Sequence, residues 1–330
     1  MRKSGLVVDP SVLAFSAKFA EFDEFNEFAV AWDVDFRQLT RGLLNASLAQ
    51  IVSSEYSLSR AKFDQTSYQQ GSAIPGMRTF ALLDTSAPEV NWCGRTFSPD
   101  TIAIFPKDRD FRCVSPPGFS VYTFSFSEKT LTAASRRLGL PDICSNLKTQ
   151  DETRLIVRQK ANVLCHTGNE AFSYCCLPGK TVLPKDVTKA IFGERIAEQL
   201  ILVLSSAETL QKTPSGCTLT AAINPALSYI EEHLAEGITV RDVSKATGVS
   251  RRTLEYAFRK QLDASPKSFI NEQRLILTRR TLRRELGERA IADIANQFGF
   301  WHMGQFARDY YRRFGELPSQ TTPLACFPTS

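Results

Sequence analysis

Cys165-His166 and Cys175-Cys176 are the one grouping in the chain with metal-ligand chemistry: a thiol beside an imidazole, and two further thiols later in the sequence. Their spacing matches no metal-binding pattern, and buried thiols without a chemical task are the plainer reading. Only three histidines occur, His166, His233 and His302, so none precedes position 166. That excludes an N-terminal barrel enzyme built on a histidine-ligated metal. No glycine-rich phosphate loop appears, and no local motif supports Ser/His/Asp or Cys/His catalysis. Recognition chemistry remains. Arg78, Trp92 and Arg95 are candidates for a small-molecule pocket, working by shape, aromatic contact and a few polar groups.

The bulk properties narrow the class further. A chain of 330 residues is too long for one core and suits two or three domains. No apolar run reaches the roughly 18 residues that span a bilayer. The first nine residues lack the apolar centre of a signal peptide. Eight cysteines without a repeating spacing favour reduced thiols, so the expected location is cytoplasmic, with no membrane partner and no cofactor. The net charge is +5, and between Cys217 and Ser330 sixteen lysines and arginines face twelve acids. The excess therefore sits in the last third, which permits a nucleic-acid partner without proving one.

The elements that must position these residues fall into two textures. Phenylalanines at 15, 19, 22, 25 and 28 step by four and then three, which predicts a helical stripe used for core packing. From 35 to 126 short apolar or alternating runs (47–53, 57–63, 78–83, 101–105 and 120–126) are separated by turn formers such as Pro75-Gly76 and Pro116-Pro117-Gly118. This pattern predicts an antiparallel sandwich or barrel. Helices are predicted over 128–138, 151–164 and 187–210, the last either closing the barrel domain or pairing with a second subunit. Residues 209–223, rich in Thr, Ser, Pro and Gly, read as a linker.

Beyond the linker everything reads as helical up to a tail. Asn224-Pro225 suits a helix start, and Leu227, Ile230 and Leu234 form its apolar stripe before Gly237. Thr239 caps a short helix that ends at Gly248, and Ser250 caps a second helix through Lys260. Short helix, turn glycine and capped second helix make a helix-turn-helix. Val243, Val249, Leu254 and Phe258 form its core, leaving Arg251, Arg252, Thr253, Glu255 and Tyr256 on the outer face. The pattern repeats with a short helix at 291–295, Gly299 in the turn, and a second helix from Trp301 to Phe314. Ser265-Pro266 opens the helix that joins the units, rich in arginine at 274, 279, 280, 283 and 284. The run from 279 to 284 reads as a solvated or acid-paired face rather than a DNA contact. Two units joined by one stiff helix, with recognition helices about 34 Å apart on one face, would enter successive major grooves.

Residues 224–321 resemble the DNA-binding domain of the AraC/XylS family of transcription regulators. The stretches at 238–260 (ITVRDVSKATGVSRRTLEYAFRK) and 290–315 (AIADIANQFGFWHMGQFARDYYRRFG) carry the resemblance. Two departures stand out: Trp301-His302-Met303-Gly304 replaces small polar residues, and Tyr310 stands where phenylalanine is common. The resemblance implies that Arg252, Glu255 and Tyr256, then Gly304, Gln305 and Arg308, face the bases. Arginine suits guanine, glutamine adenine and glutamate cytosine, whereas glycine only permits close approach. Arg251, Lys260, Arg312 and Arg313 are then placed for phosphates. The implied architecture is α+β. A small antiparallel, cupin-like β-barrel with flanking helices (1–208, barrel about 35–126) binds an effector or dimerises. The linker (209–223), an all-α domain with two helix-turn-helix units (224–321) and a tail (322–330) follow. The implied partners are double-stranded promoter DNA, RNA polymerase, a small-molecule effector and a second copy in a homodimer. The implied activity is transcription regulation, as an activator and not as an enzyme.

Two other readings compete. A DNA-repair alkyl acceptor fused to a DNA reader needs a reactive, metal-held cysteine, for which only Cys175-Cys176 comes close. An architectural DNA binder would leave the N-terminal two thirds without a task.

Overall fold

The computed structural model describes residues 12–322 except 30, 41, 93–94, 108, 148–151, 177–178, 184–187, 189–191, 210–213 and 286. Two units emerge, residues 1–38 with 43–212 and residues 39–42 with 213–330. The expectations for the extreme N-terminus, for 210–213 and for the tail beyond 322 fall outside the described residues.

Strands β1 (Val12–Phe19), β2 (Asp33–Gln38), β3 (Ala46–Val52), β4 (Tyr56–Phe63) and β5 (Ser67–Ser72) open the first unit. Next come β6 (Met77–Leu83), β7 (Val90–Trp92), β8 (Arg95–Phe97), β9 (Thr101–Ile104), β10 (Asp110–Ser115) and β11 (Phe119–Ser127). Three more, β12 (Glu152–Leu155), β13 (Gly179–Leu183) and β14 (Glu208–Thr209), lie between and after the helices. They form a nine-stranded sheet ordered β13-β1-β3-β4-β11-β6-β9-β12-β14 and a five-stranded sheet ordered β2-β5-β10-β7-β8. The expected runs at 47–53, 57–63, 78–83, 101–105 and 120–126 coincide with β3, β4, β6, β9 and β11 to within a residue at most ends.

Alternation sorts the large sheet into two faces. Leu48, Ala61, Phe63, Ala81, Ala103, Phe119 and Val121 point inward and meet Phe111, Trp92 and Val34 of the small sheet, giving one aromatic-rich core. Ile51, Leu58, Phe80, Leu82, Ile102, Tyr122 and Phe124 point the other way and are covered by helices. The helices are α2 (Glu128–Arg137), α4 (Arg158–Cys175) and α5 (Glu194–Ser205), with α3 (Ile143–Asn146) between the first two. Two stacked antiparallel sheets flanked by helices match the α+β expectation, in the double-sheet form of a small barrel.

The expected helical stripe over Phe15–Phe28 is corrected. Phe15 and Phe19 belong to β1, and only Phe22–Phe28 is helical, as α1. Positions 15 and 19 share one face of a strand as readily as one face of a helix, so the spacing could not separate the two. All five rings still serve packing, with Phe19–Phe25 and Phe22–Phe63 centroids 5.3 and 5.1 Å apart. The sheets also reach beyond 35–126, because β1 and β12–β14 join the large sheet. The expected helix over 151–164 is divided: Glu152–Leu155 pairs with β9, and α4 begins at Arg158.

On the helix side, Arg60 donates to Asn169 Oδ1 and to Asp84 Oδ2, both at 2.9 Å, and Tyr122 donates to the same Asn169 oxygen at 3.1 Å. Burial alone would raise the Asp84 pKa, but the hydrogen bond and charge of Arg60 outweigh it and hold it below the usual carboxylate range. This network pins α4 across the sheet.

The second unit is helical throughout: α6 (Pro214–His233), α7 (Val240–Thr247), α8 (Arg251–Leu262), α9 (Pro266–Arg284), α10 (Ile291–Gln297) and α11 (Met303–Phe314). Helix α6 starts ten residues earlier than Asn224-Pro225 suggests, so the expected linker is helical from Pro214. Ile223, Ala226, Leu227 and Ile230 are all buried, and this continuous face carries the helix through Pro225.

Candidate nucleic-acid interface

Each recognition helix is fixed by its own capping and core. Thr239 and Asp242 form a reciprocal capping box at the start of α7. Gly248 turns the chain with φ 67°, and Ser250 accepts the Thr253 N–H at 3.1 Å to cap α8. Val243, Leu254 and Phe258 are fully buried beneath it. In the second unit Ile294, Phe298, Phe306 and Tyr310 pack with Leu275 and Leu282 of α9, and Phe300 lies at the margin of this cluster. Tyr310 has a partner for its hydroxyl: it lies 2.6 Å from Thr321 Oγ1, which donates to Glu316 at 3.1 Å. Burial pushes the Tyr310 pKa up to about 12, so the phenol stays protonated. The departure from phenylalanine at this position is thus built into a buried hydrogen-bonded chain.

Burying these faces leaves a defined set of side chains outside. On α8, Arg251, Arg252, Thr253, Arg259 and Lys260 are exposed, Tyr256 is 61% exposed, and Glu255 is half-buried beside them. On α11, Gly304, Gln305, Arg308, Tyr311 and Arg312 are exposed, and Trp301 is 72% exposed in the turn before it. Arg308 donates to Gln305 Oε1 at 3.1 Å, Gln305 donates to Asp309 Oδ2 at 2.9 Å, and Arg312 donates to Asp309 Oδ1 at 3.2 Å. Asp309 thereby links an amide and two guanidinium groups into one oriented row. The sequence reading missed it; its position one turn from both Gln305 and Arg312 was the available signal.

Arg313 requires a correction. Expected at a phosphate, it is buried and paired with Glu272 of α9 at 2.6 Å, so its charge is already satisfied inside the unit. Arg251, Lys260 and Arg312 remain at the surface. The helix starts add backbone donors. No side chain caps α11 at His302, so its first-turn amides have no side-chain acceptor at the helix start.

Within the C-terminal unit, the joining helix α9 holds the two helix-turn-helix units together. Buried Arg274 donates to the carbonyls of Leu234 at 3.4 Å and Ile238 at 2.9 Å, satisfying the chain end that follows α6. A methyl group added at Gly299, where φ is 81°, would stand 3.5 Å from Gly237 Cα and 3.6 Å from Arg274 Cζ. The turn of the second unit therefore lies against the end of the first helix, with Arg274 between them. Arg279 is acid-paired, with Glu316 at 2.9 Å, and its guanidinium lies over the Phe314 ring.

Of the three pocket candidates in the first unit, Trp92 lines an apolar cavity between the sheets and Arg78 and Arg95 do not. Arg78 shares the helix-side face of β6 with Phe80 and Leu82. The thiols of Cys175, Cys165 and Cys176 pack with the helix-side core, where burial pushes them up to about 11, 12 and 12 respectively. An alkyl acceptor needs a thiolate, whereas burial favours the protonated form of these three. His166 lies at the surface beside Glu170. Among the described residues no group of His, Cys, Asp and Glu is arranged to hold a metal ion, and no helix is long and apolar enough to cross a membrane.

Comparison with known proteins agrees with this geometry. A helix-turn-helix domain model matches residues 243–322. XylDLEGF operon transcriptional activator 3 of Pseudomonas putida is 31% identical over 127 residues, 38% of this chain and 38% of that protein. The chain thus matches about two fifths of that relative's length. XylDLEGF operon transcriptional activator 2 of the same organism is 30% identical over 130 residues, 39% of this chain and 81% of the relative. The crystal structure of the AraC-like transcriptional activator CuxR aligns with 86% of this chain and 99% of its own at 13% identity, with a TM-score of 0.41. Two helix-turn-helix units with outward arginines, together with 30% identity across 81% of XylDLEGF operon transcriptional activator 2, place the chain in the AraC/XylS family of transcription regulators.

Proposed function

We propose that the C-terminal unit reads promoter DNA, with α8 and α11 lying in successive major grooves on one side of the duplex. One observation carries the reading: both second helices present arginine outward, Arg252 and Arg308, on faces opposite fully buried cores. Arg252, Glu255 and Tyr256 meet bases in one half-site, and Gln305 and Arg308 meet bases in the other. Arg251, Lys260, Arg312 and the open amides of α11 take phosphates. Gly304 lets the backbone approach closely.

In this reading the chain is an activator, with RNA polymerase as a further partner, and it binds without catalysing a reaction. The N-terminal unit receives a small-molecule effector or pairs with a second copy. Selection of bound duplexes from a random pool tests the first step. It should enrich two conserved boxes about one helical turn apart, bound with a Kd on the order of 10⁻⁸ M or tighter and weakening steeply as salt rises. Equal affinity for selected and unselected duplexes contradicts the proposal.

A further inference from the structure

The indole of Trp301 is 72% exposed immediately before the cap of α11, and the fold gives it no packing task. Its nearest apolar neighbours in the chain, Phe300 and Met303, both pack against the core of Ile294, Phe298 and Phe306. An apolar residue just before a helix cap ordinarily packs on the fourth helical residue and fixes how the chain enters. In α11 the cap is His302 and that fourth residue is Phe306. Phe300 takes the place against it, with ring centroids 5.1 Å apart. Trp301 is thereby left outside.

Gly304 follows three residues later, in the first turn of α11. A methyl group added there would meet nothing within 4 Å, and Gly304 is not among the glycines with positive φ. Neither packing nor backbone conformation requires a glycine, although glycine weakens a helix relative to alanine. The result is a flat apolar ring beside a bare stretch of helix. Both lie at the N-terminal end of α11, the end by which a recognition helix meets base edges. Gln305, Arg308 and Arg312 continue the exposed row, and they suit base edges and phosphates.

We infer that Trp301 is a specificity-determining residue that recognises the 5-methyl group of a thymine in the second half-site, with Gly304 leaving room for that base edge. The inference rests on the proposed reading of DNA by α11. In the major groove the thymine methyl is the apolar feature of the base-pair edges, and it is recognised by apolar contact. The indole supplies that contact, while Gln305 and Arg308 supply hydrogen bonds to the polar edges beside it.

Trp32 and Trp92, the other two tryptophans of the chain, are only 9% and 2% exposed, so acrylamide quenching of the full chain reports chiefly on Trp301. The selected duplex should shield it. The second box is the one whose protection Arg308→Ala removes. Replacing its thymines one at a time by deoxyuridine deletes a methyl group and leaves base pairing intact. One replacement should weaken the parent chain about fourfold, the weight of one buried methyl group. Trp301→Ala, checked for an unchanged far-ultraviolet spectrum, should bind the thymine and deoxyuridine duplexes equally. Gly304→Leu, checked by its thermal midpoint, should lose affinity for the selected duplex. Unchanged quenching on the duplex, a fourfold difference that persists in Trp301→Ala, or full affinity in Gly304→Leu overturns the inference. Failure to select any duplex overturns the DNA reading itself, whereas two selected boxes without a methyl-dependent position overturn the role of Trp301 alone.

Discussion

Arg308→Ala should weaken binding to the selected duplex by about 1–3 kcal/mol and flatten base preference at one position, because a guanidinium reading a base edge has no substitute there. Arg308 is exposed on α11 and oriented by Gln305 and by the Gly304 carbonyl, so it is largely pre-arranged before DNA arrives. Arg312→Ala is the matched control. It should weaken all sequences evenly and reduce the slope of log affinity against log salt by about 1, as expected for one phosphate contact. Competition titrations against single-base variants at two or more salt concentrations separate the effects. If both substitutions act evenly across sequences, the division into base and phosphate contacts is wrong.

The second large effect is on the joint between the two helix-turn-helix units. Arg274→Met keeps most of the side-chain volume but removes the donors to the Leu234 and Ile238 carbonyls. Leaving buried acceptors without partners costs about 1–3 kcal/mol, so urea unfolding should show a loss of that size. Affinity for the two-box duplex should fall further than affinity for a single-box duplex, because the spacing between recognition helices is loosened while each helix keeps its own core. An unchanged ratio of the two affinities would mean that Arg274 stabilises the fold without setting the spacing.

The helical unit was largely legible because its signals are local. Thr239, Ser250 and Ser265 each announce a helix start through their own side-chain oxygen, and the structure shows each accepting a backbone N–H three residues on. Gly248 and Gly299 mark turns that require positive φ. What the sequence could not show depended on distant partners. Arg313 and Arg312 are adjacent and chemically alike, yet only Arg313 turns inward to Glu272, a residue far back in the chain. Phe15 and Phe19 carry a spacing common to strand and helix, and pairing with β3 and β13 decides between them. Of the cavity's walls Trp92 alone is expected at a pocket, and Phe25 only in core packing. The space between the sheets arises only when the two stack, which no local pattern shows.

Hydroxyl-radical footprinting of the full chain on its selected duplex tests the central claim most directly. Two protected patches on one side of the helix, about 34 Å apart, are predicted, each lost separately when the arginine of its own unit, Arg252 or Arg308, becomes alanine. A single patch, or patches on opposite sides of the duplex, would contradict the account of two recognition helices held at one turn of DNA.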